Sequence, residues 1–213
     1  MDDFESAVAK PVSKDSIKTT AKFVVSERSQ GYLIGKHGAF TKCMQENGIY
    51  MKCYKDRQSK ALKPREAICS MHGTLADIEY AIKELIERLT SYYEAQTESF
   101  ERVSLALLIP FTYVTKIIGA GGCLIKEIVG KTGAQIKVCS SKGESFTPEV
   151  VITIDGDNAQ KLRGARAILE KVELFKNGGP VSNSPLSVYT PTLSNKTHFP
   201  FAVDLEHWHC LVR

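Results

Sequence analysis

No stretch of the 213-residue sequence approaches the roughly 18 apolar residues that a bilayer-spanning helix needs, so no membrane span is expected. The first 30 residues lack a charged start followed by an apolar core, which argues against a secretory signal. Of the six cysteines, at 43, 53, 69, 123, 139 and 210, no two form a C-x-x-C pair, and most lie in apolar stretches. Reduced, buried thiols of an intracellular protein are expected rather than a disulfide framework or a zinc site. Aromatics make up 8% of the chain and are few in the strand-like segments, which disfavours recognition of bases by stacking on a sheet. Charge of one sign is also missing: 28 Lys and Arg stand against 24 Asp and Glu, a net +4 that suits a polyanionic partner without demanding one.

Several motifs fail on inspection. GYLIGKH (31–37) is one residue short of a phosphate-binding P-loop between its glycines, with His where Ser or Thr must hold magnesium. Gly119 and Gly121 begin a dinucleotide fingerprint that Leu124 breaks at the third glycine. His207-Trp208-His209-Cys210 has no second ligand pair near it in sequence, so no metal site is expected. No nucleophile–base constellation is visible, so the chain is not expected to be an enzyme, and no cofactor is called for.

What the sequence does contain is a repeat. Segments at about 21–92 and 103–175 align, FVVSERSQGYLIGKHGAF with LLIPFTYVTKIIGAGGCL. Val25 matches Ile109, Ile34 matches Ile118, Gly35 matches Gly119 and Gly38 matches Gly122, all at an offset of 84; IYMKCY then matches AQIKVC at 85. Each repeat predicts the same series. A strand (22–26; 103–109) leads to a short helix that stops at Gly35 or Gly119, and a second helix (39–47; 123–132) ends before Gly48 or Gly133. A strand, a polar loop (55–65; 140–148), a third strand (66–71; 149–154) and a long helix complete it. Leu75, Ile78, Ile82, Leu85, Ile86 and Leu89 share one face of the first long helix, as Leu162, Ala165, Leu169 and Val172 share one of the second.

The two short helices of each repeat meet at Gly35-Lys36-His37-Gly38 and Gly119-Ala120-Gly121-Gly122. Glycine permits so tight a turn and a close approach of a ligand backbone. The amides of the following helix favour a phosphate there, and Lys36 and His37 add positive charge. The alternative reading of one such loop is a structural turn; two in register within matching elements favour a binding loop.

On these residues both repeats resemble eukaryotic-type KH domains. The second, IIGAGGCLIKEIVGKTGAQIKVCSSKGESFTPEVVITIDG, is similar throughout to the Nova and poly(C)-binding families. The resemblance implies an α+β fold of two tandem type I KH domains, each a β-α-α-β-β-α unit with a three-stranded antiparallel sheet packed on three helices. It implies the boundaries 20–93 and 102–176, a linker at 94–101, a disordered segment at 1–19 and a flexible tail at 177–213. It implies a groove for four nucleotides, with the RNA backbone held by the glycine loop and the bases against an apolar platform. The platform would be Ile109, Ile118, Ile125, Ile136 and Val138 in the second repeat, and Val25, Ile34, Met51 and Cys53 in the first; plain core is the alternative for each. Base edges would meet Lys126 and Lys137, or Lys42 and Lys52. Ala120-Gly121 lacks the family's basic residue, which leaves phosphate attraction there to the helix amides, Lys116 and Lys126.

The implied partner is single-stranded, pyrimidine-containing RNA, an mRNA or pre-mRNA whose splicing, stability or translation is regulated in the nucleus or cytoplasm. Protein partners could dock on the tail or a KH surface. Two alternatives stay open: a protein-interaction scaffold with little RNA affinity, and a binder of single-stranded DNA.

Overall fold

The computed structural model describes residues 18–96, 103–139 and 148–178. The expectations for residues 1–17, the second polar loop (140–147), the tail from 179 and the His207–Cys210 cluster lie outside the described residues. All described residues belong to one compact unit, Met1–Gly179.

The first repeat folds as β1 (Lys18–Ser26), α1 (Glu27–Ile34), a 3-10 turn (Lys36–Gly38), α2 (Ala39–Glu46), β2 (Tyr50–Tyr54), β3 (Glu66–Thr74) and α3 (Leu75–Glu94). The second repeats it as β4 (Leu105–Pro110), α4 (Phe111–Ile118), a 3-10 turn (Ala120–Gly122), α5 (Cys123–Thr132), β5 (Gln135–Cys139), β6 (Glu149–Asp155) and α6 (Asn158–Lys176). The long helices start where their sequences supply two-sided caps. Thr74 and Asp77 exchange hydrogen bonds with each other's backbone N–H, and so do Asp157 and Gln160. Gly133 closes α5 in the left-handed conformation at φ 70°.

Two features depart from the expectation. β1 starts at Lys18 rather than Lys22 and so takes in residues 18 and 19 of the segment expected to be disordered. Thr19 and Ala21 turn inward and are buried while Lys18 and Thr20 stay exposed, an alternation masked by the polar Thr19. β3 lengthens to match it, with Lys18 opposite Thr74.

The second departure is that the two expected three-stranded sheets are one. The strand order is β2-β3-β1-β4-β6-β5. β1 and β4 join antiparallel, with Phe23 opposite Leu107 and Val24 opposite Ala106. Each sheet covers the edge that the other would leave bare. Phe23 and Leu107 are also counterparts at the repeat offset of 84, so each repeat meets the same position of the other. Such isologous pairing is the mark of a two-fold relation, here internal and approximate.

The helices of both repeats line one side of this sheet, and α3 packs beside α6. Polar bonds stitch the seam: Lys22 Nζ to Glu149 Oε1 at 2.7 Å, Arg166 to Glu79 Oε1 at 2.8 Å, and the Thr19 hydroxyl to Glu173. The apolar interior runs without a break from Leu33, Met44 and Ile82 through Phe23 and Leu107 to Ile117, Ile152 and Ile168. Among the described residues no helix is long and apolar enough to cross a membrane.

Candidate nucleic-acid interface

The glycine loops are built alike. In the first, Gly35, His37 and Gly38 have φ of 78°, 54° and 74°; in the second, Gly119, Gly121 and Gly122 have 72°, 56° and 76°. Three left-handed residues in four reverse the chain between the short helices and aim the first amides of α2 and α5 outward. Gly38 N–H donates to Gly35 O at 3.1 Å, and Gly122 N–H to Gly119 O at 3.2 Å. His37 holds a conformation that Gly121 adopts freely, one that histidine tolerates better than most side chains. Lys36, His37, Ala120 and Gly121 are exposed at the tips.

α2 packs on β2 and α5 on β5, which sets each loop and its second helix against an outer strand of the sheet. β2 and β5 each have one neighbouring strand, so one long side of each carries unpaired backbone groups. The sequence-derived apolar positions divide in two. Val25, Met51, Ile109, Ile125 and Ile136 are buried, with 7% or less of their surface left. Ile34, Cys53, Ile118 and Val138 are half-buried. These four are two pairs of counterparts, the last residue of α1 or α4 and the fourth residue of β2 or β5. Both repeats therefore leave the same two apolar positions partly open.

The lysines divide as well. Lys36 lies in the first loop, and Lys42 and Lys126 are exposed on α2 and α5; Lys116 is exposed on α4, its Nζ 5.6 Å from the Phe175 ring centre. Lys52 and Lys137 alternate to the face of their strand away from the helices. There Lys137 lies 3.7 Å from Asp155, and Lys52 lies 5.7 Å from the Tyr54 ring centre.

Two contacts were not foreseen from sequence. The basic loop 55–65 is tied to the start of α1 at both ends: Lys55 pairs with Glu27 at 2.9 Å, and Glu27 N–H donates to Arg65 O at 2.9 Å. An acidic residue in a helix's first turn is the only trace of this in the sequence. Cys53 is register partner to Cys69 on β3. The hydrogen bond from Cys69 lowers the Cys53 thiol below its ordinary value; the same bond, then burial, pushes Cys69 well above it. Among the described residues no three His, Cys, Asp or Glu side chains come together as a metal site would require.

Residues 104–171 match the KH domain family. Over 205 residues the chain is 26% identical to the human RNA-binding protein Nova-2, covering 85% of this chain and 40% of that protein. The Drosophila melanogaster RNA-binding protein Pasilla is 24% identical over 196 residues, covering 86% of this chain and 25% of that protein. The chain thus spans less than half the length of either relative. Among solved structures, the 13th KH type I domain of human vigilin aligns at 27% identity over 41% of this chain and 98% of that one, with a TM-score of 0.28. With its β-α-α-β-β-α order, glycine loop and antiparallel sheet, residues 104–171 are a KH domain of type I, and the chain is a KH-domain protein resembling Nova.

Proposed function

We propose that this chain binds single-stranded RNA through two grooves, one per repeat, and that the first repeat acts as a second KH module. The supporting observation is the repeated site: the same left-handed loop, the same two half-open apolar positions and the same unpaired strand edge occur twice. Phosphates would lie over the loop amides and Lys36, and bases over Ile34 and Cys53 or Ile118 and Val138, where a duplex would not fit. The similarity to Nova-2 and Pasilla, both named as RNA-binding proteins, supports RNA as the ligand. We extend this to pyrimidine-containing mRNA or pre-mRNA and to a role in its regulation, in the nucleus or cytoplasm.

Loop variants test the reading against a protein-docking scaffold. Lys36→Asp with His37→Asp, and separately Ala120→Asp with Gly121→Asp, place carboxylates where phosphates would sit. Aspartate is among the residues that accept the left-handed conformation of His37 and Gly121. Titrations against single-stranded RNA, single-stranded DNA and duplex should show RNA affinity falling in both variants. The first should also show a shallower salt dependence, because it removes a lysine. If the combined variant folds and binds RNA as the parent does, the loops are structural turns and the scaffold reading replaces this one. DNA bound as tightly as RNA would make DNA an equal ligand.

A further inference from the structure

The seam fixes the mutual orientation of the two grooves. Phe23 meets its own counterpart Leu107 in an antiparallel pair, with helices of both repeats on the same side of the sheet. Only a two-fold axis normal to the sheet relates two units in that way, and it passes between these two residues. Such a rotation sends β2 to β5 at opposite edges and reverses the strand direction. Any chain lying along one groove in a given 5′-to-3′ sense must lie along the other in the opposite sense. Five inter-strand steps separate β2 from β5, on the order of 24 Å across the sheet.

We propose, resting on the RNA-binding reading above, that the chain's ligand is a bipartite RNA: two short single-stranded sites on one strand, joined by an unread spacer that makes a U-turn across the protein. Contiguous sites cannot fill both grooves, because the strand would have to cross the sheet and turn back with no length to do so. Site order is immaterial, since the axis exchanges the grooves. After a strand leaves one groove, the start of the other lies at the same end of the sheet, so the spacer needs to cover only the sheet's width.

The test is a titration of the full chain with RNAs carrying two copies of the tightest-binding tetranucleotide from a randomised series. The copies are joined by increasing numbers of inert ethylene-glycol units, either with natural polarity or through a 3′–3′ linkage. The expected result is single-site affinity without a spacer and a gain on the order of 10²-fold beyond a threshold length. That threshold should be shorter for natural polarity than for the 3′–3′ linkage, which must span the groove length as well. The gain should vanish in the Lys36→Asp, His37→Asp variant while single-site binding remains. A full gain without spacer, no gain at any spacer, or a shorter threshold for the 3′–3′ linkage overturns the bipartite reading alone. Failure to bind any single site overturns the RNA-binding reading itself.

Discussion

Gly119→Ala and Gly121→Ala, two residues apart in one loop, should differ sharply. Gly119 sits at φ 72°, ψ 177°, a region that essentially only glycine occupies, at a cost of about 1–3 kcal/mol for another residue. A Cβ there would lie 2.8 Å from Leu124 Cγ and 3.1 Å from Cys123 Sγ, which adds roughly 1–3 kcal/mol of overpacking. Gly121 sits at φ 56°, ψ 20°, and its Cβ would meet nothing within 4 Å. The left-handed cost there is about 1–2 kcal/mol, and the stiffer unfolded chain returns about 0.4–1 kcal/mol. Gly119→Ala should therefore lose about 2–5 kcal/mol, and Gly121→Ala about 1 kcal/mol or less. For a unit of this size each kcal/mol lowers the melting temperature by roughly 2–4 °C, so calorimetry should separate the variants clearly. Equal melting temperatures would refute the reasoning, since both variants add the same methyl group to the same loop.

The core is shared, so Phe23→Ala, which removes a side chain with no exposed surface, should cost about 3–5 kcal/mol and lower one common transition. Two separated transitions in a calorimetric scan would contradict a common interior. Burial alone would lower the Lys22 pKa, but the hydrogen bond and charge of Glu149, with smaller help from Tyr54 and Asp56, raise it overall. Its stabilisation should persist through neutral pH and fade only as strong alkali deprotonates the amine; a double-mutant cycle of Lys22→Met with Glu149→Gln should read about 1 kcal/mol or less for this part-exposed pair. Iodoacetamide should alkylate Cys53 before Cys69, and at a lower pH than in the Cys69→Ala variant, as peptide mass spectrometry would show.

Much of this architecture was legible because glycine and capping residues punctuate the chain at fixed intervals. Gly35, Gly48, Gly119 and Gly133 each mark a helix end, and Thr74 and Asp157 each mark a start. The seam was not legible, because β1 and β4 join through backbone groups that every residue possesses. The half of β1 that exceeds expectation carries Lys18, Thr19 and Thr20, whose polarity reads as loop until β3 is seen opposite. At the site, the sequence placed the loops but could not say which apolar residues stay open. Ile34 and Val25 look equally suited, yet the packing of β1 buries Val25 and leaves Ile34 at a helix end. Lys52 and Lys137 follow a strand alternation that points them away from the helices, a consequence of register that adjacency in sequence hides.

The self-matching seam bears on how the chain could be cut. A fragment holding only residues 103–178 would bare the side of β4 that Phe23 and Val24 now cover. That edge already fits its own kind, because the residue it lost is the repeat counterpart of Leu107. Two copies of such a half should therefore zip together along β4, restoring a six-stranded sheet from identical parts. An affinity measured on a single repeat would then belong to a pair of grooves.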